Sequence, residues 1–178
     1  YTLRVKNLET GELYPERIEN IDPAIVWAGD NRTLLYVEKD PETLLARRVR
    51  KHVLGTNPAA DALVWEQTDA SFYTEVVKSK SDRYLFIATE STMSSEWWYA
   101  EADDPALAFK VVLPRERDHE YSVEHLGDRF VIRSNWQAPN FRIVEVPIAA
   151  SADRAQWRDV LPHRADAFVH DFDVFENF

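Results

Sequence analysis

Asp30-Asn31-Arg32-Thr33-Leu34-Leu35-Tyr36, Ser81-Asp82-Arg83-Tyr84-Leu85-Phe86-Ile87 and Gly127-Asp128-Arg129-Phe130-Val131-Ile132-Arg133 carry one pattern, a polar turn, an arginine and then a β-rich apolar strand. The arginines fall at positions 32, 83 and 129, spacings of 51 and 46 residues. Several short strands recurring at such a period are the signature of a β-propeller, in which each repeat is one blade. Similar strands precede the three turns: Ile25-Val26-Trp27, Phe72–Val77 and Tyr121-Ser122-Val123. Two more follow each turn, about Arg47–Leu54 and Ala62–Gln67, Glu96–Ala102 and Phe109–Leu113, and Phe141–Ile148 and Trp157–Leu161. Between them lie Gly55-Thr56-Asn57-Pro58, Asp103-Asp104-Pro105 and Ala149–Asp153, whose residue types favour tight reversals.

Working outward, Leu3–Leu8 and Leu13–Ile18 are expected to form a hairpin across Glu9-Thr10-Gly11-Glu12, and Phe168–Phe172 to begin a fourth copy. The expected fold is therefore all-β, a partial propeller of about three and a half four-stranded antiparallel blades. Its parts are a half blade over 1–20, blades over 21–68, 69–117 and 118–166, and the first strand of a further blade over 167–178. Glu42–Arg47 has some helical propensity, but the β-rich run after it points to a turn. A β-sandwich would share the strand count without the near-constant repeat. Strands such as Leu34-Leu35-Tyr36-Val37 are apolar on both faces, as blades packed on two neighbours require. Six tryptophans and an aromatic content of 12% suit the wedge between twisted sheets.

Composition narrows the function. The chain has 178 residues, no cysteine and a net charge of −10, with 31 acids against 21 bases. Disulfides and thiolate metal sites are excluded, and a reducing, cytoplasmic setting is expected. The acidity disfavours nucleic acid as a partner and would draw in cationic ligands. No apolar run approaches a membrane span, and the opening YTLRVKNLE has no signal-peptide core. Tyr1 and Phe178 both stand inside strand-like runs, so the chain is expected to be an interior piece of a longer protein.

No catalytic, cofactor-binding or metal-binding residue is predicted. The residues two places beyond Gly11, Gly29, Gly55 and Gly127 are Leu13, Asn31, Asn57 and Arg129, so the G-x-S-x-G nucleophile elbow is missing. No glycine pair suits a dinucleotide loop. His52, His119, His125, His163 and His170 lack metal-ligand spacing, and on a strand His170 and Asp171 would face opposite ways. Asp103-Asp104 reads as a turn rather than a glycosidase carboxylate pair. A strand through Arg47-Arg48-Val49-Arg50-Lys51-His52 would split the basic run between two faces. Trp97-Trp98-Tyr99 is either a recognition stripe or packing between blades, and the blade pattern favours packing. Asn31-Arg32-Thr33 fits a glycosylation sequon by chance.

The strings Tyr1–Glu12, Arg115–Val123, Gly127–Phe130, Leu54-Gly55-Thr56 and Trp27-Ala28-x-Asp30-Asn31-Arg32-Thr33-Leu34 resemble the prolyl oligopeptidase family of serine peptidases, in its oligopeptidase B branch (protease II). The resemblance implies a seven-bladed N-terminal propeller capping an α/β-hydrolase domain that bears the Ser-Asp-His triad. It places this chain in the middle of the propeller, with the catalytic domain absent and partnering it from the rest of the parent chain. It further implies cleavage of short basic peptides after Arg or Lys, the propeller restricting access. The alternative is a stand-alone propeller that serves as a protein-interaction module. Cut blade faces should make the isolated segment self-associate.

Overall fold

In the computed structural model, which describes residues 1–175, the repeated turns close in the way their residue types dictate. Asp30 Oδ1 accepts the backbone N–H groups of Arg32 (2.9 Å) and Thr33 (2.8 Å), while Asn31 takes a left-handed φ of 53°. Ser79 Oγ accepts the Tyr84 N–H at 3.0 Å, and Asp82 takes the left-handed position with φ 60°. Asn and Asp tolerate that region better than other side chains bearing a Cβ. The third turn is tighter. Leu126 pairs directly with Arg129, and Gly127 supplies the positive φ of 66° that a two-residue hairpin needs.

Fourteen strands follow among the described residues. β1 (Thr2–Leu3) and β2 (Ile18–Glu19) form a short ribbon. β3 (Ile21–Trp27), β4 (Thr33–Lys39), β5 (Ala46–Val53) and β6 (Ala62–Glu66) form the first four-stranded sheet. β7 (Tyr73–Lys78), β8 (Tyr84–Glu90), β9 (Ser95–Glu101) and β10 (Lys110–Leu113) form the second. β11 (Tyr121–Leu126), β12 (Arg129–Ser134), β13 (Arg142–Pro147) and β14 (Arg158–Leu161) form the third. Every sheet is an antiparallel meander in chain order, as a propeller blade is. β3 packs against β7 across the first pair of blades and β11 against β9 across the second. The blades of a propeller stand around a central channel, and the edge that carries the opening strands is termed the inner edge.

The core consists of three layers between blades. Leu34 and Tyr36 of β4 face the terminal ribbon, with Leu3, Ile18 and Ile21. Leu35 and Val37 face the second blade, meeting Val76, Leu85 and Ile87. On β8 the same division recurs: Tyr84, Phe86 and Ala88 turn the other way, onto Tyr121, Phe130 and Ile132 of the third blade. The two-residue strand period sends alternate side chains into opposite layers, which is why central strands are apolar throughout. Each fully buried Leu or Phe contributes on the order of 1.5–3 kcal/mol.

Two expected elements differ. The hairpin over Leu3–Leu8 and Leu13–Ile18 is broken: Lys6 bridges Leu13 and the Tyr14 N–H reaches Val5 O, but pairing resumes only at Leu3–Ile18. Pro15 has no N–H to give the ladder, and Glu16 turns inward to accept the N–H of Gly55. The opening strand expected over 167–178 is not formed over 167–175, and residues 176–178 lie outside the described residues. Its Val169 is held by the N–H bond to Asn140 O (2.9 Å) and by Arg133 Nε (2.7 Å), and no described strand offers a ladder to it.

Candidate functional site

The inner edge of the blades is the surface the architecture offers to a ligand. On β7 the burial alternates, so Thr74 and Val76 enter the core while Tyr73 and Glu75 point away from it. On β11, Tyr121, Val123 and His125 are buried, leaving Ser122, Glu124 and Leu126 on the open face. Asp22 on β3, Glu75, Glu90 at the end of β8 and Glu120 just before β11 converge on this edge. Partial desolvation, aided by the Asp22 charge, raises the Glu75 carboxyl above its ordinary value. Glu90 is raised for the same reason, with Glu75 and Glu120 adding repulsion and Arg133 opposing it. Glu124 is also raised by desolvation, against which it accepts the Lys80 backbone N–H at 3.1 Å.

Asp22 is paired with Lys39 at 3.6 Å. The cation that acts on Glu90 is Arg133, and it is committed elsewhere. Its guanidinium lies 3.5 Å from the centroid of the Phe141 ring and donates to Val169 O. Among the described residues it makes no ion pair with a carboxylate, although Asp171, Glu120 and Glu90 act on it through space. The inner edge therefore keeps a negative field into which a cation can move.

The residues singled out by the sequence serve structure. Trp97 is buried, and Trp98 meets Trp65 in a tilted contact with centroids 6.2 Å apart, so this stripe packs between blades. The basic run on β5 is split and neutralised: Arg48 pairs with Glu66 (3.1 Å), Arg50 with Glu38 (2.6 Å), and His52 is fully buried on Asp61 (2.9 Å). Asp104 caps its own turn by accepting the Ala106 (2.9 Å) and Ala108 (3.1 Å) N–H groups. Thr33 donates its hydroxyl to Asp30 (2.7 Å) and is buried, so the sequon is tied up in the blade turn. His119 and His125 are buried, and His170 is exposed. Among the described residues no cluster of three His, Asp or Glu has metal-binding geometry.

The acidic inner edge was missed as a site in the sequence. The signal was present as the charge of −10 and the alternation around Glu75, but Asp22, Glu75, Glu90 and Glu120 come from two blades and the entry to a third. Only the stacking of blades brings them together.

Over residues 1–178 the chain matches the profile of the prolyl oligopeptidase N-terminal beta-propeller domain. It belongs to the prolyl oligopeptidase family. It is 51% identical over its whole length to dipeptidyl aminopeptidase BI of Pseudoxanthomonas mexicana, of which it spans 24%. It is 30% identical to Protease 2 of Moraxella lacunata, over 83% of the chain and 22% of that protein. Oligopeptidase B from Leishmania major superposes on 92% of the chain with a TM-score of 0.86 at 25% identity, and the match spans 23% of that protein. The chain thus spans about a quarter of the length of these prolyl oligopeptidase relatives, all of it within their propeller. The acidic edge just described lies on the propeller segment of a prolyl oligopeptidase-family peptidase.

Proposed function

We propose that this segment admits short cationic peptides to a serine peptidase that cleaves after Arg or Lys and excludes larger proteins. The chemistry belongs to an α/β-hydrolase domain elsewhere in the full-length protein, and no residue of this chain is catalytic. The observation that carries the reading is the inner edge, where Glu75, Glu90 and Glu120 act on one another beside Asp22, and only Asp22 among the four is ion-paired within the described residues, with Lys39 at 3.6 Å. Such a lining raises the local concentration of a cationic substrate without binding it tightly. A cytoplasmic location belongs to the same reading, supported by the cysteine-free composition.

The test compares kcat/KM for an Arg-containing peptide and a neutral analogue across ionic strength, in the full-length protein and in Glu75→Gln/Glu90→Gln. The cationic peptide should lose roughly three- to tenfold as salt screens the field, and the double variant should remove most of that loss. A flat salt response refutes the steering role. Failure of a serine-directed fluorophosphonate to label the full-length protein would instead favour the stand-alone interaction propeller.

A second reading follows from the 51% identical relative, named as a dipeptidyl aminopeptidase. It predicts stepwise release of dipeptides from the N-terminus. Mass spectrometry of the products from a peptide with one internal Lys separates the two: a single cut after Lys supports the first, a dipeptide ladder the second.

A further inference from the structure

The segment that follows the third blade, together with the turns at 79–83 and 126–129, encloses a cavity of about 710 Å³. Among the described residues its walls carry three cations, Lys80, Arg83 and Arg129, and no carboxylate, in a chain whose net charge is −10. The acids that partner two of them are outside the lining: Asp173 pairs with Lys80, and Glu145 with Arg129 at 2.7 Å, where Asp128 also lies 3.5 Å away. Arg83 donates to Gly127 O at 3.0 Å and pairs with no carboxylate among the described residues. Leu126 and Phe175 add apolar wall.

Beneath this wall lies a polarised chain of hydroxyls. The Tyr84 N–H donates to Ser79 Oγ, which is 2.9 Å from Ser81 Oγ, which is 2.7 Å from His125 Nδ1. Run in that direction, each hydroxyl donates to the next group and Nδ1 accepts, leaving the ring proton on Nε2. His125 is 1% exposed, lines the cavity, and has no partner at Nε2. Burial, reinforced by the Arg83 charge, lowers its pKa and keeps the ring neutral. The neutral ring adds no charge of its own to the wall, so the positive field there comes from Lys80, Arg83 and Arg129.

We propose that this cavity binds the free α-carboxylate of a short peptide, with Arg83 and Lys80 as its cationic donors and Leu126 and Phe175 beside the terminal side chain. The choice of a peptide carboxylate rests on the peptidase reading above, which brings short peptides to this protein. The apolar wall next to the cations favours such a ligand over a bare inorganic anion.

The test is calorimetric titration of the full-length protein with N-acetylphenylalanine, its amide and inorganic phosphate. None of these has a scissile bond between residues, so the outcome is independent of whether peptidase activity is found. The acid should bind at least about tenfold more tightly than the amide, since a charge-assisted contact is lost in the amide. Arg83→Gln and Lys80→Gln should each weaken the acid about tenfold while the melting temperature stays unchanged. Equal binding of acid and amide, or phosphate binding tighter than the acid, overturns the carboxylate assignment. Binding unchanged in both variants overturns the location. So does a crystal structure of the full-length protein in which its own side chains fill the cavity.

Discussion

Removal of one hydroxyl group, in Tyr121→Phe, should loosen the contact between the second and third blades. Tyr121 is 2% exposed, and its hydroxyl donates to Leu113 O at 2.7 Å and accepts the Trp97 N–H at 2.8 Å. Those two backbone groups face each other across β9 and β10 where the ladder shifts register at Leu113, so the phenol from the next blade closes a gap in its neighbour's sheet. Burial drives the hydroxyl above the ordinary phenol range, so it stays protonated and able to donate. Phenylalanine keeps the ring and its packing but strands a buried N–H and a buried C=O. At about 1–3 kcal/mol for each unsatisfied group, the loss should be about 2–4 kcal/mol after partial relaxation. Urea unfolding followed by tryptophan fluorescence measures it, and hydrogen exchange at the Trp97 amide locates it. Tyr73→Phe, on a residue 70% exposed, is the control and should stay within about 0.5 kcal/mol. A Tyr121→Phe loss no larger than the control's, with Trp97 still protected, would refute the idea that this hydroxyl completes the ladder.

Three other outcomes are expected. His119, stacked on Tyr121, is held neutral with its pKa lowered to about 4, by burial first and the Arg154 charge second; Arg154 can only donate to Nδ1, so the Nε2–H donates to Ser134 Oγ at 2.8 Å. Because the folded value lies below the unfolded one, the unfolded chain takes the proton first, and stability falls from about pH 6.5 to about pH 4 by up to about 3 kcal/mol. A pH series of melting temperatures checks this, and His119→Gln should flatten that slope. Gly29 donates its N–H to Ala102 O at 2.8 Å, and a Cβ there would stand 1.8 Å from Asp103 Oδ1. Gly29→Ala should therefore cost about 1–2 kcal/mol, and a double-mutant cycle with Asp103→Gly should recover most of it. The isolated segment leaves Leu63, Tyr73 and Val160 exposed, so light scattering should show self-association at high concentration, and a clean monomer would contradict it.

The propeller was legible because a blade is a local object. Its strands are consecutive in the chain, its turns carry Asp30-Asn31, Asp82 and Gly127 where the backbone needs them, and the apolar double face of Leu34–Val37 or Tyr84–Ile87 announces two neighbours. Family membership was legible for the same reason, in short strings that keep their order. The interruptions were less so. The broken ladder after β1 depends on Glu16 bonding Gly55, 39 residues away, and the segment from Phe168 has strand-like residues without a strand to pair with.

By itself, the sequence determined the alternation of strands and turns, the acidity and the want of a nucleophile elbow, all of which depend on residue type and spacing of a few positions. Only the tertiary structure decided which charges meet. Glu75 and Glu90 belong to one blade, Asp22 to the one before and Glu120 to the approach to the next, while Lys80, Arg83 and Arg129 reach one cavity from turns some 46 residues apart. Electrostatic and hydrogen-bond coupling falls off with distance in space, and that distance is set by blade stacking rather than by separation along the chain.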